Sequence, residues 1–276
     1  MMVDEPFRLA TLPLFEAGIV DVLEWSFEIG WSDGEPPWAA ALLDHYAQAG
    51  RLFGHGVTYS PLSVAAAQRQ ATWIDRVAHE CTRRSYLGVS EHYGFMGNDD
   101  LDLGAPLPMP PIAESVEVGR AALARLAAVT RTPVGLENLA LAFGDDDVWA
   151  QGDLLEQMLA PLDGYLVLDV HNLHCQVENF GADPRALLDS YPLARVRCIH
   201  VSGGSWSEHD AGRFRRDTHD DALPEGALDL LALALPRCPA LEAVIVERIG
   251  PTLADPGAQL RLRDDFHRVR ALVGAA

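Results

Sequence analysis

Short apolar runs rich in β-branched residues recur along the chain, and most are followed by a longer stretch of helical period. This alternation restricts the fold more than any single motif, because strand-then-helix units in series mean parallel strands joined by crossovers. The runs are RLATL (8–12), VDVLEWSFE (20–28), RLFGHGV (51–57), SYLGVSEH (85–92), PVGLEN (133–138), YLVLDV (165–170), VRCIHV (196–201) and AVIVE (243–247). Helical spacing fills 38–49, 62–81, 112–130, 154–159, 228–235 and 258–272. Eight units predict the α/β class as one closed (β/α)8 TIM barrel, a single domain over 1–276, close to the roughly 250 residues such a barrel takes. No G-x-G-x-x-G follows any run, which argues against a dinucleotide fold. The first run is the weakest, since it is short and Pro13 ends it.

Charge narrows the partners. The chain sets 21 basic residues, all arginine, against 40 acidic ones, for a formal charge of −19. Such a surface repels phosphate backbones, so neither nucleic acid nor an anionic membrane is expected as a partner. Cys81, Cys175, Cys198 and Cys238 are scattered without C-x-x-C spacing. With no basic, apolar leader at the start, they read as reduced thiols of a cytoplasmic protein. No apolar run approaches the roughly 20 residues of a membrane span.

A parallel barrel places its chemistry where strands end. The long Pro- and Gly-rich segments, WSDGEPP (31–37), GNDDLDLGAPLPMPP (97–111) and 202–216, all follow runs and read as loops on that rim. The run ends collect His55, His92 with Glu91, Glu137 with Asn138, Asp169 with Asn172, His200 and Glu247. In the loop after His200, Asp217 and His219 are two residues apart, so in extended chain both turn to one side and Thr218 to the other. Taken singly, each is an ordinary surface or core residue, and His45, His79 and His267 stay in helical segments. Together, the carboxylates would repel one another at a single mouth unless cations neutralise them. Imidazole with carboxylate suits zinc, iron or manganese. The set exceeds what one ion needs, so about two or three ions are implied.

The order of these ligands resembles the trinuclear pattern of the xylose isomerase-like TIM barrels. The words HGVTYS, SEHY, GLEN, LDVHNL, NFGADP, IHVSGG and DTHDDALP resemble the multinuclear non-haem iron-dependent oxidases, from about His55 to Glu247. That family includes the enzyme that installs the oxazolone and thioamide of methanobactin. The resemblance implies His55, His92, Glu137, Asp169, Asn172, His200, Asp217, His219 and Glu247 as metal ligands, with Asn138 and Thr218 orienting them. Cys175, Arg215 and Arg216 are candidates for contacts near the mouth. The chain departs from the family at Glu91, where Asp is common, and at His171, where D-V-N-N has its first Asn. It departs again at Gly204, which replaces the second histidine of H-L-A-G-H, with His209 in the same loop as a substitute. Glu247 is followed by Arg248 and Ile249 instead of Trp and Asp.

What the resemblance implies is an iron cofactor of two or three ions, mixed valence included, and a dioxygen-dependent oxidation of a peptide at cysteine in ribosomal peptide natural-product biosynthesis. A partner protein would recognise the leader. The alternatives are a zinc- or manganese-dependent hydrolase or sugar isomerase of the same superfamily, and a binding barrel that has lost its metals.

Overall fold

The structure is a computed structural model that describes every residue except Ala65, Asp210 and Ala211 and the side chains of Asp33 and His209. The chain opens with helix α1 (Glu5–Glu16), strand β1 (Leu23–Ser26), helices α2 (Phe27–Asp33) and α3 (Pro37–Gln48), strand β2 (Leu52–His55) and helix α4 (Ala67–Arg83). Strand β3 (Val89–His92) leads into a hairpin of β4 (Phe95–Gly97) and β5 (Asp102–Leu107), followed by α5 (Ala113–Thr130), β6 (Val134–Glu137) and α6 (Asp145–Leu159). Strand β7 (Tyr165–Asp169) runs straight into α7 (Val170–Phe180), then α8 (Pro184–Asp189) and β8 (Val196–Val201). A second hairpin, β9 (Trp206–His209) with β10 (Gly212–Arg215), precedes α9 (Glu225–Ala234), β11 (Ala243–Val246) and α10 (Pro256–Ala275).

Seven strands pair in parallel in the order β1-β2-β3-β6-β7-β8-β11, and the helices pack outside them. Among the described residues β1 and β11 are not paired with each other, so the barrel is nearly closed. The α/β TIM-barrel architecture expected from the sequence is therefore present, with one correction: seven strands instead of eight. The run at 8–12 belongs to α1. The Asp4 carboxylate caps that helix by accepting from the Phe7 backbone N at 3.0 Å, and Ala10, Thr11 and Leu14 form its buried side. Pro13 sits inside the helix and does not end it. Helix α1 packs on α10, with Ala10, Leu253, Ala258 and Leu262 buried beside Phe7 and Val246.

Strand parity fills the barrel. Successive side chains alternate between lumen and helical layer. Phe53, Tyr165, Val167, Cys198 and Ala243 form a cluster of their own with Val22, Leu87 and Ile245. Continuing two residues along each strand from this lumen set leads to Glu24, His55, Asp169, His200 and Glu247. Gly135 occurs where it does because any side chain would strike the Tyr165 ring, whose atoms come within 2.5 Å of a hypothetical Cβ. Outside the strands lies the larger core between sheet and helices, from Trp25 and Leu43 round to Leu231. Each fully buried Leu or Phe there contributes about 1.5–3 kcal/mol.

Candidate metal centre

The last residues of β2, β3, β6 and β7 are His55, His92, Glu137 and Asp169, while His200 is the penultimate residue of β8 and Glu247 directly follows β11. Asp217 and His219 arrive from the loop after β10, His219 with a left-handed φ of 52°. Histidine is among the few non-glycine residues that take that conformation readily, and such strain concentrates at functional sites.

Among the described residues four groups of side chains have ligand atoms within 4.8 Å of one another, and three of them are built from the strand-end and loop residues: His55, His92 and Glu137; Glu137, Asp169, His200 and Glu247; and Asp169, Asp217 and His219; Glu24, Cys198 and His200 form the fourth, on the other side of the His200 ring. Glu137 belongs to the first and second, Asp169 to the second and third. Glu137 Oε2 lies 3.2 Å from His55 Nε2 and 3.4 Å from His200 Nδ1, and Glu247 Oε2 lies 3.3 Å from the same His200 nitrogen. Asp217 Oδ1 is 2.8 Å from His219 Nε2.

The ring nitrogens of His55 and His200 that face away from these groups are held by other residues. His55 Nδ1 pairs with Ser90 Oγ at 2.9 Å. His200 Nε2 lies 3.1 Å from Glu24 Oε2. The Glu91 carboxylate accepts from the backbone N of Tyr59 at 2.6 Å and of His92 at 2.5 Å, and Oε2 approaches the His92 ring nitrogen Nδ1 at 3.6 Å. Asp169 caps α7, Oδ1 accepting from the Asn172 N at 2.7 Å. Asn138 ties β6 to β7 through both its amide atoms, donating to the Asp169 carbonyl at 3.0 Å and accepting from the Asp169 N at 2.7 Å.

After these bonds are made, His92 Nδ1, Glu137 Oε2, Asp169 Oδ2, Asn172 Oδ1, His200 Nδ1, His219 Nε2 and Glu247 Oε2 are buried with no hydrogen-bond partner. Buried polar atoms are almost always paired. Such atoms occur elsewhere among the described residues too, but these seven lie together on candidate ligands of one rim, and their mixed nitrogen and oxygen character suits a first-row transition metal. The residues thus fit metal ions on their own geometry.

Charge accumulates accordingly. Burial raises the Asp169 carboxyl well above the usual range, and the neighbouring Asp217, Glu137 and Glu247 raise it further. Burial opposes a charge on His200, but Glu24, Glu247 and Glu137 outweigh it and hold its pKa well above the ordinary value. Burial likewise opposes protonation of His92, yet Glu137 and Glu91 push it up to about 10. Burial and the cationic neighbours His92 and His200 drive His55 well below its ordinary value. A divalent ion bound among these groups would displace the protons that the raised histidines hold, so uptake would release protons.

Several sequence expectations change. Cys175 does not line the mouth: it is fully buried in α7 with its Sγ 4.0 Å from His171 Nε2, and burial pushes its thiol up. Arg215 is also buried, its guanidinium 5.6 Å from the Trp206 ring centre, and Arg216 donates to Ser205 Oγ at 3.1 Å. Thr218 does not touch the ligands; its hydroxyl accepts from the Ser205 N at 2.8 Å and donates to Asp220 at 2.6 Å, closing the loop on itself. The side chain of His209, the expected substitute at Gly204, lies outside the described residues. Sequence reasoning missed Glu24 as the carboxylate on His200. Its signal was parity, since Glu24 lies two residues beyond the lumen residue Val22 in an otherwise apolar run.

A nearly closed parallel barrel of seven strands, with groups of candidate metal ligands at the ends of its strands, defines a TIM-barrel protein. Solved structures agree on the fold. The IOLI protein with a bound zinc atom superposes with a TM-score of 0.61 at 14% identity over 97% of this chain and 93% of that one. Endonuclease IV from Thermus thermophilus gives 0.57 at 15% over 100% and 97%. Within this class the chain belongs to the MbnB/TglH/ChrH family of RiPP precursor modification enzymes, which matches residues 26–254. It is also similar to a UPF0276 protein of Caulobacter vibrioides, 29% identical over 82% of this chain and 77% of the relative. A UPF0276 protein of Streptomyces avermitilis is 30% identical over 66% and 39%. Among the described residues no helix is long and apolar enough to cross a membrane.

Proposed function

We propose that this chain is a multinuclear iron-dependent oxidase that modifies a ribosomally made precursor peptide at cysteine, with dioxygen as the electron acceptor. The observation that carries the reading is the chain of three ligand groups sharing Glu137 and Asp169, in a member of a family of precursor-peptide enzymes. His55, His92, Glu137, Asp169, Asn172, His200, Asp217, His219 and Glu247 hold about two or three iron ions between them. Bound iron supplies a site for a thiolate and for dioxygen. The protein's own work is ligation and orientation: Ser90 and Glu24 aim the His55 and His200 imidazoles, and Asn138 fixes the backbone of Asp169. A formal charge of −19 favours a basic leader or a basic leader-binding partner and disfavours nucleic acid. The setting is the cytoplasm, where the four cysteines stay reduced.

The same donors suit zinc or manganese, and the superposed IOLI protein holds zinc, so a hydrolase or sugar isomerase is the second reading. The deciding experiment incubates ferrous protein, its leader-recognising partner and the cysteine-bearing peptide with and without oxygen, and weighs the peptide. An oxygen-dependent mass change at cysteine is expected. Equal turnover without oxygen transfers the activity to the hydrolase or isomerase class, and a protein that takes up no metal is a binding barrel.

A further inference from the structure

His171 belongs to none of the three ligand groups, yet it is fully buried beside one of them. It is the second residue of α7, two positions after Asp169. Its Nδ1 lies 3.1 Å from Asp217 Oδ1, in hydrogen-bonding geometry. The other ring nitrogen faces the Cys175 thiol at 4.0 Å. An ionised carboxylate only accepts, so the nitrogen that faces Asp217 is the donor and Nδ1 carries the proton.

Space for the ring comes from the loop opposite. A Cβ at residue 204 would meet His171 Cε1 at 2.9 Å and the Thr218 N at 3.0 Å, and would collide with the Arg216 carbonyl oxygen. Only glycine lets the imidazole and the loop carrying Asp217 close on each other. Asp217 Oδ1 also accepts from Ser202 Oγ at 3.2 Å, so two donors from separate elements converge on one oxygen of this carboxylate.

We infer that His171 is a positioning residue: its Nδ1–H donates to Asp217 Oδ1 and aims that carboxylate at a metal ion held between Asp169, Asp217 and His219. The inference deepens the proposed function and rests on its metal centre. It also accounts for two residues together, since the imidazole at 171 occupies room that any side chain at 204 would take.

The test separates hydrogen bonding from space filling. An asparagine amide nitrogen superposes on imidazole Nδ1, so His171→Asn keeps the donor, whereas His171→Phe keeps the bulk and removes it. Wild-type protein and both variants are loaded with ferrous iron without oxygen and titrated with a competing chelator, and anomalous diffraction locates the ions. The Phe variant is expected to hold the ion at Asp217 about 10–100-fold more weakly, and the Asn variant close to wild type. Equal retention in the Phe variant would overturn the inference and leave the metal centre standing; wild-type protein with no ion there overturns both. Nitrogen-15 spectra of metal-free wild-type protein decide the point independently of any variant's folding: a proton on Nδ1 is expected, and a proton on Nε2 alone contradicts the role.

Discussion

Glu137 and Asp169 each face two ligand groups, so their removal should have consequences that removal of a terminal ligand does not. Glu137→Gln keeps the volume and removes the shared charge, and is expected to cost occupancy of two ions, whereas His219→Ala should cost one; elemental analysis after anaerobic iron loading distinguishes them. Glu24 makes a different prediction. By accepting from His200 Nε2 it leaves Nδ1 free toward Glu137 and Glu247, and Glu24→Gln should weaken metal retention about 10–100-fold without removing a ligand. Chelator competition measures this, and an unchanged affinity would strip Glu24 of the role. The strand-end residues were legible in the sequence because a parallel barrel exposes the ends of its strands on one rim. Glu24 was not, because it lies inside a run and acts only through a histidine 176 positions away. Cys175 was misplaced for a related reason: nothing local told that α7 starts directly at Asp169 and turns this face inward.

At the scale of elements, the alternation of runs and helical stretches located every strand of the barrel. It failed where a short apolar run lacked flanking context: residues 8–12 carry the inward spacing of a helix, but Pro13 hid it. Helix α4 shows how an element is tied down. Arg84 just past its end is buried and donates to Glu35 at 2.7 Å, Asp44 at 2.7 Å and Glu80 at 3.0 Å. The Arg84 hydrogen bond is the main cause that lowers the Glu35 carboxyl from its ordinary 4.5 to about 2, against the opposing effect of burial. A depressed folded pKa means that the stabilisation is complete above 4.5 and disappears as pH falls through about 2. Glu35→Gln should therefore be less stable than wild type at neutral pH, and the gap should close between these two values. Urea titrations across that range check it, and a gap independent of pH would contradict the ion pair.

For the whole molecule, the proposed metal centre ties stability to cation binding. Carboxylates and imidazoles gathered at one barrel mouth repel or trap protons when no cation is present, so metal should stabilise the folded state, by about 2.7 kcal/mol when free metal stands at about 100 times its Kd. Chelation is expected to lower the melting temperature and re-addition to restore it. The overall architecture was readable because the repeat of strand and helix admits few topologies, and seven of the eight runs are the seven strands of the barrel. The proposal that one rim holds several ions through shared carboxylates turns on stoichiometry. It is tested most directly by counting iron in wild-type protein loaded without oxygen, alongside Glu137→Gln. Two or three ions per chain, falling by two in the variant, is the result the shared-corner geometry requires; one ion or none in wild-type protein would contradict it.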